Sequence, residues 1–229
     1  RYGDLDIGDR GYGRLIEPLD LKNNIEKTLG KVIVTSGPTL EAIDAVKVIT
    51  NKSSGKQGRA IAIELTSRGY ETIYIHSSQI SPIPGLQNVE FTTSSDLLTA
   101  INEHVVGTDY LFMTAAVADF TVEKQSGKIS RDSGNIQLNL IPNIDLIKSI
   151  KQNNKDVVTI AFSAQINDDL NFDKIKRKNC DYLVINNILD NNFGSDFNKI
   201  KIINKNDLVY ESDQKSKSDI AYELIDVLL

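Results

Sequence analysis

Residues 31–69 read KVIVTSGPTLEAIDAVKVITNKSSGKQGRAIAIELTSRG, and this stretch decides the fold. Val32-Ile33-Val34 is a short β-branched run that stops at Thr35-Ser36-Gly37-Pro38, the composition of a buried strand closed by a turn. Beginning near Gly55, a helix carries Ala60, Ile61 and Leu65 and stops at Gly69, placed as a C-cap glycine. A strand followed by a helix opens an α/β unit, but about twenty residues separate the two, far more than an ordinary βα loop holds. Long connections of this kind tend to carry function. Two small-residue turns lie in it, Ser36-Gly37-Pro38-Thr39 and Ser53-Ser54-Gly55-Lys56. Both can aim backbone N–H groups and hydroxyls at an anion, and the second sits at a helix N-terminus, where the dipole favours negative charge. Both are also ordinary turn chemistry. A P-loop would need Gly at position 50, which is Thr, and Ser or Thr after Lys56, which is followed by Gln57. A dinucleotide fingerprint is also lacking, since Gly55-Lys56-Gln57-Gly58 supplies a single glycine spacing.

Working outward, residues 1–29 are Gly- and charge-rich without a period and read as loop or linker, with a weak helix from Asp20 to Thr28. After the opening unit, strands are expected at Glu71–His76 and Val89–Thr92, and Ser95-Asp96 caps a helix through Leu97, Leu98, Ile101 and Val105. Asp109–Val117 is a continuous apolar run, the mark of a strand buried on both faces. Residues 119–135 are polar with two glycines and read as a mobile loop. Ile136, Leu138 and Leu140 alternate as in an edge strand, and Pro142 opens a helix with Leu146, Ile147 and Ile150. Strand 157–162, helix 170–179 and strand 182–186 follow. Asn204-Lys205-Asn206-Asp207 is a hairpin turn between 199–203 and 208–210, and a last helix carries Ile220, Leu224 and Leu228. Five or more strand–helix alternations imply a Rossmann-like, mostly parallel sheet with helices on both faces and a C-terminal β-hairpin. Ligands of such sheets bind beyond the carboxyl ends of the strands, which here are loops 36–54, 115–135, 163–169 and 187–198.

The chain has 229 residues, 40% apolar and 25% charged, with net charge −5, the profile of an ordinary soluble globule. Its longest basic cluster is Lys176-Arg177-Lys178, which argues against nucleic acid as a partner. A single cysteine, Cys180, excludes a disulfide framework and fits a reducing, cytoplasmic compartment. No apolar run approaches a membrane span and no signal peptide is visible. The chain opens on Arg1 rather than Met, so a piece of a longer protein is expected.

Singly, the chemistry-bearing residues are ordinary. Asp119 follows a buried strand, where an acid often caps a loop; Lys128 is a lysine in a polar loop; Lys174 and Lys178 share one helix face, as a solvated stripe does. His76 and His104 have no partner at metal or triad spacing, and no Ser-His-Asp or HExxH pattern is present. Together, two anion-binding turns, separated lysines and an acid at a strand end suit a nucleoside triphosphate with a divalent cation, a chemistry of positioning and charge neutralisation rather than covalent attack.

Gly37-Pro38-Thr39-x-Glu41-x-x-Asp44, Asn51-x-Ser53-Ser54-Gly55-Lys56-x-Gly58, Ala115-Ala116-Val117-Ala118-Asp119 and Lys178-Asn179-x-Asp181 occur in this order. Over residues 30–229 the combination resembles the CTP-dependent bacterial phosphopantothenoylcysteine synthetases, ligases of coenzyme A biosynthesis. Residues 1–21, with Gly8-Asp9-x-Gly11-x-Gly13-Arg14, resemble the tail of the flavin-dependent decarboxylase that precedes the synthetase in bifunctional proteins, so residues 1–29 are expected to be that tail and any FMN to belong to the upstream domain. The resemblance implies a cytoplasmic homodimer that joins 4′-phosphopantothenate to L-cysteine with CTP and Mg²⁺ through an acyl-cytidylate. It assigns catalysis to Asn51 and to Lys128, the latter on a mobile loop over the phosphates, and nucleotide binding to Gly37, Ser53, Ser54, Gly55, Ala115, Asp119, Lys128, Asn143, Asp145, Phe162, Lys174 and Lys178. It assigns no metal ligands. Two departures stand out: Lys128-Ile129-Ser130-Arg131 lacks one lysine of the family's loop, and Gln165 replaces a family Glu. A nicotinamide-dependent reductase and a non-catalytic nucleotide-binding module are the alternative readings of the same sheet.

Overall fold

The computed structural model describes residues 2–4, 10–12, 28–167, 169–188 and 194–229. Its central sheet has eight strands: β1 (Lys31–Ser36), β2 (Glu71–Ser77), β3 (Gln87–Phe91), β4 (Tyr110–Met113), β5 (Val158–Gln165), β6 (Tyr182–Asn187), β7 (Ile200–Ile203) and β8 (Leu208–Glu211). They lie in the order β8-β7-β6-β5-β4-β1-β2-β3. The first six pair in parallel, and β7 and β8 run antiparallel as the C-terminal hairpin. From β1 the chain builds outward to β3, then returns to lay β4 on the other side of β1. Loops leaving β1 and β4 therefore diverge, and a crevice opens between them, where an open α/β sheet takes its ligand.

Among the described residues five helices cover the sheet: α1 (Lys56–Ser67), α2 (Ser94–His104), α3 (Leu146–Asn153), α4 (Phe172–Lys178) and α5 (Lys217–Leu228). Successive strand residues point to opposite faces. Val32, Val34, Tyr74 and Phe112 pack with Ile61 and Leu65 of α1 and Leu224 of α5. Ile33, Ile73, Ile75 and Leu111 pack with Leu97 of α2, Ile150 of α3 and Ile175 of α4. Both faces are buried, which is why the strands read as unbroken apolar runs; each fully covered Leu or Ile contributes about 1.5–3 kcal/mol of transfer free energy. α2 starts on a capping box between Thr93 and Asp96, and α4 ends on Asn179 at φ 53°. Among the described residues no helix is long and apolar enough to cross a membrane.

The sequence and the structure part at four places. Residues 136–140 form no strand, and Ile136, Leu138 and Leu140 are exposed. Alternation signals a strand only where one face is covered, and among the described residues nothing covers either face here. The short strand nearby is Ile141–Pro142, paired with Phe120–Thr121, so Pro142 closes a strand rather than opening a helix. α3 begins at Leu146, where Asp145 Oδ1 accepts from Lys148 N at 3.3 Å. The apolar run 109–117 leaves the sheet after Met113, and Thr39 N donates to Ala116 O (3.3 Å) while Ala116 N donates to Gly37 O (2.9 Å). Within residues 1–29, Tyr2–Asp4 pairs antiparallel with Arg10–Tyr12; the helix expected from Asp20 lies, but for Thr28, outside the described residues.

The long β1–α1 connection holds its own hairpin, Leu40–Ala42 against Val48–Thr50. Asn51 follows its second strand directly.

Candidate active site

The crevice at the carboxyl ends of β1, β4, β5 and β6 is a cavity of about 680 Å³. Its floor is the N-terminus of α1. Gly55 caps that helix at φ 66° without a side-chain hydrogen bond, and Ser36 Oγ donates to Gly55 O at 2.8 Å. The first N–H groups of a helix have no partner inside it, so this turn offers donors and a positive dipole end to the cavity. Gly58 allows the close approach: a Cβ there would collide with Thr114 Oγ1 and stand 2.8 Å from Ser36 Oγ. Ser53 and Ser54 line the same wall, with Ser53 Oγ accepting from Gly55 N at 3.4 Å.

Asn51 lies opposite the loop after β4. Its Nδ2 donates to Val117 O (2.9 Å) and Ala116 O (3.3 Å), which fixes the amide plane and leaves Oδ1 as the atom to meet a ligand. Ala115 and Asp119 continue that wall. Asn143 borders the cavity, but its amide is spent inside the protein, donating to Ser94 Oγ (2.8 Å) and Ala118 O (3.1 Å). It therefore positions the 115–119 loop. Asp145 likewise caps α3 and takes Lys178 Nζ at 3.3 Å.

Phe162 lines the side formed by β5, next to Ser163, whose Oγ accepts from Lys174 Nζ at 2.7 Å. Lys174, Arg177 and Lys178 stand at helical spacings of three and four along α4 and all border the cavity. Burial above all, then the neighbouring Lys178 and Arg177, holds the Lys174 ammonium below the usual lysine range. Lys56 and Lys217, at the starts of α1 and α5, border the same cavity. Lys56 Nζ reaches Asp196 (2.6 Å) and Gly194 O (2.8 Å), while Lys217 Nζ donates to Ser195 O. Lys217 is lowered too, first by burial and then by Lys56. Cations that are partly desolvated and crowd one another form a site built for a polyanion.

Eleven of the residues expected from the sequence thus meet in one cavity: Asn51, Ser53, Ser54, Gly55, Ala115, Asp119, Asn143, Asp145, Phe162, Lys174 and Lys178. Gly37 and Lys128 stand apart. Gly37 is a packing glycine at φ 87°, where a Cβ would meet Ile80 Cγ1 at 2.5 Å and Ser77 Cβ at 2.7 Å. Lys128 is exposed outside the cavity wall. Its loop is not wholly loose, because Gln125 N donates to Ile43 O, Ala45 N to Gly127 O, both at 2.9 Å, and Ile129 N to Asp44 Oδ2 at 3.0 Å. Arg177, Lys217, Thr114 and Asn186 also line the cavity and were not singled out from the sequence. Spacing from Lys174 would have found Arg177; Lys217 comes from the far end of the chain, and local sequence gives no sign of it.

His76 is buried, with Nδ1 3.0 Å from Ser77 O and its ring stacked on Tyr74, and takes no part. Among the described residues no cluster of three or more His, Cys, Asp or Glu is placed to hold a metal ion.

Comparison with known proteins agrees with the fold. The chain is 31% identical over 99% of its length to a cysteine/cysteine sulfinic acid decarboxylase from an unknown prokaryotic organism, of which it spans 69%. It is 31% identical over 97% of its length to the coenzyme A biosynthesis bifunctional protein CoaBC of Bacillus subtilis (strain 168), of which it spans 59%. The crystal structure of the C-terminal domain of a coenzyme A biosynthesis bifunctional protein CoaBC superposes with a TM-score of 0.71 at 26% identity, covering 87% of this chain and 96% of that one. Residues 28–229 match the sequence model of the DNA/pantothenate metabolism flavoprotein C-terminal domain, and the chain belongs to that family.

Proposed function

We propose that this chain is a phosphopantothenate–cysteine ligase that uses CTP. The carrying observation is the cavity itself, where the α1 N-terminus, beginning at Lys56, shares one lining with Lys174, Arg177 and Lys178 of α4 and with Lys217 of α5. No serine–histidine or cysteine–histidine pair stands there to form a covalent enzyme intermediate. Such a site binds a triphosphate and lets one substrate attack another.

In the first step a carboxylate oxygen of 4′-phosphopantothenate attacks the α-phosphorus of CTP. The bond to the β-phosphate oxygen breaks, and pyrophosphate leaves with its electron pair. The donors at Ser53, Ser54 and Gly55 and the α4 cations stabilise the charge that shifts onto the phosphates. In the second step the cysteine amine attacks the acyl carbon, CMP leaves, and the amine gives up a proton. Asn51 Oδ1 accepts a hydrogen bond from that amine and orients it, a role supported by the two carbonyls that hold Nδ2 and leave Oδ1 toward the ligand. Phe162 offers an aromatic face to the base. Asp119 would hold Mg²⁺ with the phosphates and water completing its shell, and the ion would supply charge neutralisation on the phosphates.

The finer assignments belong to the same proposal. They are CTP as the nucleotide, Mg²⁺, a homodimer, a cytoplasmic setting, and residues 1–29 as the tail of an upstream flavin-dependent decarboxylase. The family match beginning at residue 28 supports that boundary. A reductase reading gains nothing from the geometry: β2 ends in His76-Ser77 without the acid that would take a ribose, and a hairpin stands where the glycine fingerprint belongs. The test is pyrophosphate release with 4′-phosphopantothenate and cysteine, run with each of the four nucleoside triphosphates. Release with CTP, dependent on phosphopantothenate, is expected. No release with any nucleotide would refute the ligase.

A further inference from the structure

Asp44 lies on an exposed turn, yet its side chain is fully covered. Oδ1 does the ordinary work of a turn, accepting from Val46 N (2.7 Å) and Lys47 N (2.6 Å). Oδ2 reaches much further along the chain, to Ile129 N at 3.0 Å, and also takes Lys47 Nζ at 2.8 Å. The same Nζ donates to Ile129 O at 3.1 Å. One ion pair thus clamps both backbone groups of Ile129. On the other side of Lys128, Gly127 O accepts from Ala45 N at 2.9 Å. The backbone is tied immediately before and after Lys128, while the Lys128 side chain stays exposed. The turn also closes the hairpin whose second strand leads into Asn51, so the two residues assigned to catalysis ride on one hydrogen-bonded unit.

We propose that Asp44 is a positioning residue that fixes the backbone at Lys128 and holds it in register with Asn51. This rests on the ligase reading. A carboxylate suits the task because four donors converge on it, and charged hydrogen bonds are stronger than neutral ones. Lys47 completes the clamp from the solvent side, with its side chain 45% exposed. The backbone on both sides of Lys128 is thereby tied to the hairpin, and the Lys128 side chain alone is left to turn.

The experiment uses Asp44→Asn, Lys128→Gln and the double variant of this chain. An asparagine in place of Asp44 keeps an acceptor for the turn but sets an N–H₂ against Ile129 N and Lys47 Nζ, so the clamp opens with little change of volume. By NMR hydrogen exchange of the ligand-free protein, the amide of Ile129 should exchange at least about tenfold faster in Asp44→Asn, the effect of one lost charged hydrogen bond. Lys128→Gln should leave it unchanged. In steady-state turnover Asp44→Asn should lower kcat about tenfold or more with the KM for phosphopantothenate unchanged. In the Lys128→Gln background the same change should cost less than about twofold, because residues acting as one unit are not additive. Equal losses in both backgrounds, or unchanged exchange at Ile129, would overturn the assignment. Should Asp44→Asn fail to fold, Lys47→Met opens the solvent side of the clamp alone and must accelerate Ile129 exchange in the same direction. A wild-type chain that releases no pyrophosphate would sink the ligase reading, and the exchange arm would still decide the tether on its own.

Discussion

Lys174→Met should move stability and ligand binding in opposite directions. Methionine keeps most of the length and apolar stem of lysine and removes the charge. In the free protein the Lys174 ammonium is disfavoured first by burial and then by Lys178 and Arg177. Its hydrogen bond to Ser163 Oγ is lost, but Ser163 keeps a donor in Gln165 Nε2 at 3.3 Å. The free variant should therefore melt at or above the wild-type temperature. The pH dependence has a definite sign. A lysine whose folded pKa lies below its unfolded value binds fewer protons folded than unfolded between the two values, so its penalty is complete below both and fades as pH rises through the folded pKa. The gain of the variant is thus largest at neutral pH and shrinks toward alkaline pH. Binding behaves oppositely, because a triphosphate offers Lys174 the counter-charge it lacks. Loss of one charge-assisted hydrogen bond, about 1.5–3 kcal/mol, weakens CTP roughly ten- to a hundred-fold. Calorimetric melting without ligand and titration with CTP and Mg²⁺ measure the two. A lower melting temperature with unchanged CTP affinity would show that Lys174 is a structural strut, and the reasoning would fail.

Three further outcomes follow from particular contacts. Asn51→Asp sets a carboxylate against the carbonyls of Ala116 and Val117 that now accept from Nδ2, so pyrophosphate release should survive while amide formation falls by about a hundredfold or more; full amide formation, followed by product chromatography, would exclude a role for the amide. Gly58→Ala, which in an ordinary helix interior gains stability, should here lose about 1–3 kcal/mol in urea denaturation, because the new Cβ meets Thr114 and Ser36, and Thr114→Ala should recover part of the loss. Cys180 is fully buried and burial pushes its thiol up to about 11, so a disulfide reagent at pH 8 should label it only on unfolding; prompt labelling of the native protein would contradict the packing.

Much of the architecture was legible because two-sided burial leaves a strong mark. Val32–Val34, Ile73–Ile75 and Val184–Ile185 are apolar without a break since both faces of β1, β2 and β6 are covered, and glycine or a polar turn bounds each. What failed was the end of the strand, from Thr114 to Val117, and the stretch from Ile136 to Asp145. Small apolar residues continue past the end of β4 because Ala115 and Ala116 let the loop pass close to Gly37 and Thr39, and a pattern scan takes them for more strand. Ile136, Leu138 and Leu140 alternate without any neighbour to bury one side. Periodicity reports side-chain chemistry along the chain; it does not report whether a covering layer exists.

The electrostatics of the cavity lie further from the sequence than its shape does. The chain carries a net charge of −5, and on that count an anionic ligand looks unfavourable. Yet among the described residues Lys52, Lys56, Lys174, Arg177, Lys178 and Lys217 all border one cavity with the acids Asp119 and Asp145, and Asp196 pairs with Lys56. The sum over the chain does not determine the local field, because a ligand within a crevice feels charges at a few ångströms and is screened from the remainder within about 10 Å at 0.1 M salt. Three of these cations share one face of α4 and could be gathered from helical spacing. Lys56 and Lys217 could not. They start two helices that pack side by side on one face of the sheet, although about 160 residues lie between them in sequence, and only the strand order brings both helix starts to the crevice. The same holds for Asp44 and Ile129, whose pairing depends on where two loops end rather than on either sequence. Motif reading recovers residues that act through their own neighbourhood; residues that act through a distant partner become visible once the topology has placed that partner.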